Sequence, residues 1–254
     1  MIRIQGLHKS FGQNHVLKGV DLEVRDGETL TIIGGSGTGK SVLIKHIVGL
    51  LRPDQGQVFV DGVEISHLGE EDLHDVQKRF GYLFQGAALF DSLTVGENVA
   101  FGIINLKLEL SKSRREAVAK KLALVGLGPE VLDMKPAELS GGMKKRVALA
   151  RAVAYEPDYV LYDEPTTGLD PIMSDVINDL ILNLRGQLGV TAIAVTHDMK
   201  SAYKISNRIA MLYEGKIVAL GSPEEIQNTK DPLVRQFITG SSQGPIQMKV
   251  RQYA

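Results

Sequence analysis

Val20, Leu22 and Val24 alternate with Asp21, Glu23 and Arg25, the period-two pattern of a strand buried on one face. Asp26-Gly27 reads as a turn. Thr29–Ile33 is a short apolar run that fits a strand buried on both faces. Glycines then crowd the chain, and a helical pattern runs from Lys40 to Leu50. Gly56–Val60 reads as a strand closed by Asp61-Gly62, and Phe80–Gln85 as one more. From about Gln85 to Tyr155 the pattern is mostly helical. Ser113 and Glu116 have capping-box spacing there, and Ser111 is an equal candidate for the helix start. Val118, Leu122 and Val125 share one helical face, while Arg114, Arg115, Lys120 and Lys121 fall mostly elsewhere, as on a solvated basic face.

Beyond Pro157, strands return at Tyr159–Tyr162 and Val190–Thr196, with a helical stretch from Pro171 to Leu184 between them. Arg208–Tyr213 and Lys216–Leu220 flank Glu214-Gly215 as a hairpin. Ser222-Pro223-Glu224-Glu225 supplies a cap, an N1 proline and an acidic first turn for a further helix. Gly240–Pro245 reads as a linker before the last residues. Strands alternating with helices predict an α/β protein built on a mainly parallel sheet.

Composition narrows the function classes. The 254 residues allow one large domain or two small ones. Lys and Arg number 29 against 30 Asp and Glu, so no global positive field points to nucleic acid. The absence of cysteine excludes disulfides, cysteine-zinc sites, iron–sulfur clusters and thiol catalysis, and fits a cytosolic protein. Met1–Gln5 carries no long apolar stretch of the signal-peptide kind. The charge-free runs Thr29–Gly39, Gly81–Phe90 and Gly186–Thr196 fall short of the roughly 18 residues of a membrane span. Work at a membrane would then need another chain to do the spanning.

The candidate chemistry begins at Gly34-Gly35-Ser36-Gly37-Thr38-Gly39-Lys40-Ser41, which matches G-x-x-x-x-G-K-[ST] between a buried strand and a helix. Glycines let successive backbone N–H groups turn around an anion, and the helix N-terminus adds its partial positive charge. Lys40 would reach the β- and γ-phosphates, and Ser41 would place a hydroxyl on Mg²⁺. The bland alternative is a glycine-rich turn with a chance lysine. Tyr159–Tyr162 then runs into Asp163-Glu164, which puts two carboxylates at the sheet edge where ligands of open α/β sheets bind. Asp163 can hold Mg²⁺. Glu164, pointing the other way by strand alternation, can polarise the attacking water. His197 ends another strand and could bond the γ-phosphate and fix Glu164, although a lone histidine at a strand end is more often structural. Ser140 and the N–H groups of Gly141 and Gly142 open a helix and form a second anion site. One nucleotide needs one cradle, so the second makes sense if two copies pair head to tail around two nucleotides.

The ordered set resembles the ATP-binding subunit of an ABC transporter. Gly34–Ser41 resembles its Walker A, Gln85 its Q-loop glutamine and Leu139-Ser140-Gly141-Gly142-Met143 its signature. Tyr159–Glu164 resembles its Walker B, Thr167-Gly168-Leu169-Asp170 its D-loop and His197 its switch histidine. The resemblance implies a P-loop ABC ATPase fold: a mainly parallel core sheet, an antiparallel β subdomain and an inserted helical subdomain at about 86–155. Residues 1–240 would be the ATP-binding domain and 241–254 a tail that could dock on a neighbouring subunit or fray. It implies ATP and Mg²⁺, with Ser41, Gln85 and Asp163 at the metal and Glu164, His197 and Gln85 at the chemistry. It also implies that Phe11, in Lys9-Ser10-Phe11-Gly12, stacks on adenine, and that Asp170 crosses the interface of a homodimer closed over ATP. Met143 stands where the family usually carries glutamine.

A narrower resemblance lies in Phe84-Gln85-Gly86-Ala87-Ala88-Leu89-Phe90, Leu93-Thr94-Val95-Gly96-Glu97-Asn98-Val99 and Asp231-Pro232-Leu233-Val234-Arg235-Gln236-Phe237. These are similar to the ATPases of MCE-type lipid transporters such as the Mla phospholipid system. That family implies a polytopic permease, an MCE-domain protein, often a small STAS-domain subunit, no nucleic acid, and a place on the cytoplasmic face of the inner membrane. Three rivals stay open: an ABC ATPase with another cargo or acting on ribosome or DNA, a P-loop kinase, and a module that binds nucleotide without turnover.

Overall fold

Strands that are apolar on one face and strands that are apolar on both build two different sheets. A computed structural model describes residues 1–101 and 112–247. The chain runs through β1 (Ile2–Phe11), β2 (Asn14–Val24), β3 (Thr29–Ile33), α1 (Lys40–Ile47), β4 (Gln55–Val60), β5 (Val63–Glu64), α2 (Glu70–Gln77) and β6 (Phe80–Leu83). Helices α3 (Val95–Ala100), α4 (Lys112–Ala123) and α5 (Gly141–Ala152) follow. Then come β7 (Tyr159–Asp163), α6 (Pro171–Leu188), β8 (Thr191–Thr196), α7 (Met199–Ile205), β9 (Arg208–Tyr213), β10 (Lys216–Gly221), α8 (Pro223–Gln227) and α9 (Pro232–Thr239).

The half-buried strands form an antiparallel sheet in the order β2-β1-β4-β5. Val20, Leu22 and Val24 of β2 point inward and the acidic residues between them outward, as the alternation predicts. The second sheet has the order β10-β9-β3-β8-β7-β6 and is parallel except for the β9–β10 hairpin. Every residue of β3, β7 and β8 is buried, because both faces of this sheet are covered. On β7, Val160 and Tyr162 pack with residues of α3, α4, α5 and α6, while Tyr159 and Leu161 pack with α1 and the antiparallel sheet.

Several local expectations change. Val118, Leu122 and Val125 are buried together as their spacing predicts, and Arg115 and Lys121 form ion pairs with Asp133 and Glu156. Ser113, however, lies inside α4 rather than at its cap, because the helix already runs at Lys112; Ser111 lies outside the described residues. Gly240–Pro245 is no free linker. Gly240 ends α9 in the left-handed region, with φ 64°. The chain then doubles back until Gln236 exchanges hydrogen bonds with Ile246 N and O at 2.6 and 3.0 Å. Met248 and Val250, the rest of the alternating tail, lie outside the described residues. Helix α2 has no fully buried residue, and its Leu73 and Val76, three residues apart, are partly buried against the core of the antiparallel sheet.

The register of the parallel strands sets up the site. Ile33 of β3 pairs with Thr196 of β8, Asp163 of β7 with Val195, and Leu83 of β6 with Tyr162. The next residues of these strands are Gly34, His197, Glu164 and Phe84, so the chain leaves all four strands along one edge.

Candidate nucleotide site

Between β3 and α1, Thr38 Oγ1 donates to Gly35 O at 2.9 Å, and Gly39 takes φ 101° as the helix begins. That φ suits glycine, and a Cβ on Gly39 would also meet Val16 Cγ1 at 2.7 Å. A Cβ on Gly34 would meet Leu212 O at 2.4 Å. The Lys40 ammonium lies inside the loop and donates to Gly34 O and Gly35 O at 2.9 and 3.0 Å. Burial lowers its pKa, opposed by the Glu164 and Asp163 carboxylates. The glycine-rich segment is therefore a curled loop around a cation at a helix N-terminus, which is the chemistry of a phosphate cradle.

Asp163 ends β7 beneath this loop. Its Oδ1 accepts from Ser41 Oγ at 3.0 Å and its Oδ2 from the Tyr82 hydroxyl at 3.3 Å. Burial raises its pKa, and the two hydroxyls oppose that rise. A hydroxyl and a carboxylate side by side are oxygen donors of the kind Mg²⁺ takes together with substrate phosphates and water. The buried negative charge of Asp163 suits a cation there.

Glu164 diverges from Asp163, but not by strand alternation. Its φ is +51°, so the chain has already left the strand. The turn sends its carboxylate to Oε1–His197 Nδ1 3.1 Å, Oε2–Thr167 Oγ1 2.8 Å and Oε1–Lys40 Nζ 4.0 Å. The Nδ1–H form of His197 donates to this carboxylate, which fixes its orientation. Phe11, Ser36, Gly37, Gly39, Lys40, Ser41, Gln85, Glu164 and His197, read separately along the sequence, line one cleft of about 580 Å³.

The second cluster stands apart from that cleft. Ser140 is exposed and caps α5 by accepting from Met143 N at 3.3 Å. Gly141 is exposed beside it and Gly142 is buried. Asp170 caps α6 by accepting from Ile172 N and Met173 N at 2.9 and 3.0 Å. A second cleft of about 850 Å³ runs from Thr167 past Ile172 and Val176 to His197, so the histidine borders both clefts. Ile172 is 77% exposed, an apolar side chain with little of this chain over it.

Three supporting residues carry no sequence motif. Tyr82 holds Asp163. Lys145 of α5 donates to the main-chain oxygen of Glu164 at 3.0 Å. Arg151, also on α5, donates to Ala87 O and Ala88 O at 2.7 Å, just past Gln85.

The model of the ABC transporter family matches residues 17–167, more than half of the chain. The chain belongs to the ABC transporter family. It is 44% identical to the chloroplastic protein trigalactosyldiacylglycerol 3 of Arabidopsis thaliana, covering 97% of this chain and 75% of that one. It is 39% identical to the probable ribonucleotide transport ATP-binding protein mkl of Mycobacterium tuberculosis, over 97% of this chain and 68% of that one. It is also 39% identical to the intermembrane phospholipid transport system ATP-binding protein MlaF of Haemophilus influenzae, over 98% and 94%. Among solved structures, the dimeric cassette MJ0796 bound to ADP and phosphate superposes with a TM-score of 0.80 at 31% identity, over 88% of this chain and 99% of that one. ATP hydrolysis with Mg²⁺ is the activity of this ABC ATPase. Among the described residues no helix is long and apolar enough to cross a membrane.

Proposed function

We propose that this ATPase powers a membrane transporter that moves phospholipids or related lipids across or between envelope membranes. The observation that carries the catalytic part is the Glu164–His197 contact beside Lys40 in one cleft, with Ser140 outside it. The relatives named for phospholipid transport and for a glycolipid support the cargo.

In this reading the loop amides of Gly34–Gly39 and the Lys40 ammonium bind the phosphates, and Phe11 stacks on adenine. Ser41, Asp163 and Gln85 would hold Mg²⁺, which neutralises phosphate charge when bound. Glu164 takes the proton of the attacking water, and His197 orients Glu164 and faces the γ-phosphate. Two copies close head to tail, so that Ser140 and the amides of Gly141 and Gly142 of one meet the γ-phosphate held by the other, and Asp170 crosses between them. Hydrolysis removes that bond and the dimer opens. The helical subdomain at about 86–155, within an ATP-binding domain of residues 1–240, passes the motion to a polytopic permease. An MCE-domain protein and a small STAS-domain subunit complete the assembly on the cytoplasmic face of the inner membrane, and 241–254 is a tail. A second reading keeps the motor and changes the cargo, because one relative of similar identity is named for ribonucleotide transport.

The test is native purification from detergent-solubilised membranes with mass spectrometry of co-purifying chains and lipids. A permease, an MCE-domain protein and phospholipid are expected. A different permease without lipid would overturn the cargo and leave the motor, and ribosomes or DNA would overturn the transporter.

A further inference from the structure

Lys145 stands in the second turn of α5, five residues past its cap, and is 5% exposed. A buried ammonium is costly unless bonded. Its Nζ donates to the Glu164 main-chain oxygen at 3.0 Å. The catalytic chemistry above does not use it, since it lies behind the loop and outside the nucleotide cleft. The far end of the same loop is held by the same helix. A Cβ on Gly142 would lie 2.4 Å from Met173 Cε, so the first turn of α5 sits directly on the start of α6. Leu169 and Met143 pack against the same core cluster. Residues 164–170 are thus bracketed, with Lys145 at the beginning and Gly142 at the end.

We propose that Lys145 is a positioning residue that locks the Glu164 loop to helix α5, so that the catalytic carboxylate of one ATP site and Ser140, which serves the other, move as one body. The inference rests on the two-copy reading above. A shift of the Glu164 main chain on nucleotide binding pulls on α5 through this bond. Ser140 at the tip of α5 then shifts against the nucleotide held by the second copy. Each site thereby favours closure of the other. Without the bond, each copy binds nucleotide as before, and closure at one site no longer assists closure at the other.

The experiment uses the full chain with Lys145→Met or Lys145→Arg, each alone and in a Glu164→Gln background that holds ATP. ATP affinity is measured on dilute single copies, kcat and KM by ATPase assay, and dimer lifetime in ATP by sedimentation. Lys145→Met should keep ATP affinity within about twofold, lower kcat about tenfold with KM little changed, and shorten the dimer lifetime about tenfold, within the range of ordinary coupling between sites. Lys145→Arg keeps a cationic donor and should stay near the parent. If Lys145→Met does not fold, Lys145→Leu, a shorter apolar side chain with no donor, is read in its place with the same expectation of a shortened lifetime. Parent-like kcat and dimer lifetime in the neutral variant would overturn the inference alone. Failure of the Glu164→Gln parent to dimerise in ATP would overturn the two-copy reading, and this inference with it.

Discussion

At the start of α1 and the end of β7, Lys40, Asp163 and Glu164 are each under 10% exposed, and each has a charged or hydrogen-bonding partner within 4.0 Å. At the start of α5, Ser140 and Gly141 face solvent, and among the described residues the Ser140 hydroxyl is engaged only with its own helix. Both regions use one device, a helix N-terminus whose free N–H groups suit an anion. The first is surrounded by strand ends that bring cation, carboxylates and histidine to it from distant parts of the chain. The second stands outside the nucleotide cleft and away from those groups. The difference teaches that the two anion-suited helix ends are built differently: the first has its charged partners gathered around it within one copy, and in the two-copy reading proposed above the second acts on a nucleotide held by the other copy.

Glu164→Gln should break the first region most severely. The amide keeps the shape and loses the base, so turnover should fall by about 10²–10⁴-fold, the usual span for a general base. ATP affinity should survive, because Lys40 and the loop amides remain. An ATPase assay beside a nucleotide-binding titration checks this, and normal turnover would move the base elsewhere.

A paired measurement sharpens the comparison. Lys40→Ala removes a charge-assisted partner worth about 1.5–3 kcal/mol and should weaken ATP binding to a single copy by about 10–100-fold. Ser140→Ala should leave that binding within about twofold and lower turnover by about tenfold, the loss of one hydrogen bond to a charged group. Weakened single-copy binding in the serine variant would place Ser140 at its own chain's nucleotide and dissolve the distinction between the regions.

The legible parts of this site were those whose chemistry is contiguous. The glycine-rich loop, Asp163-Glu164 and the signature announce themselves within a few residues, and strand alternation with β3, β7 and β8 buried on both faces follows from the apolar runs. The divergence of Glu164 and its contact with His197 were legible, but the turn that produces them was not, since a φ of +51° at a non-glycine residue leaves no mark in sequence. Lys145 and Arg151 were not legible either. On a helix both read as surface cations, and only the tertiary approach of Glu164, 19 residues away, and of Ala87, 64 away, gives them main-chain partners. The Gly240–Pro245 segment misled in the opposite direction. Its residue types signal a linker, and what fixes it is Gln236, a polar side chain with spare donors and acceptors on the preceding helix.

Tyr82→Phe is the mildest disturbance and probes the metal half of the first region. The Tyr82 hydroxyl reaches Asp163 Oδ2 at 3.3 Å, long for an O–H···O bond, while Ser41 reaches Oδ1 at 3.0 Å. If the Ser41 hydroxyl turns to Mg²⁺, Tyr82 becomes the remaining side-chain donor to Asp163. Phenylalanine keeps the ring stacked on Phe84 at 4.1 Å, so packing is preserved and only the hydroxyl is lost. A weak neutral-to-charged bond of about 0.5 kcal/mol then converts to a roughly twofold rise in the Mg²⁺ concentration at half-maximal rate. ATP affinity without metal should not move, because Tyr82 does not line the nucleotide cleft. A Mg²⁺ titration of activity, with direct Mn²⁺ binding as a second readout, separates the two. Equal losses with and without metal would mean that Tyr82 supports the β6 strand end rather than the orientation of Asp163.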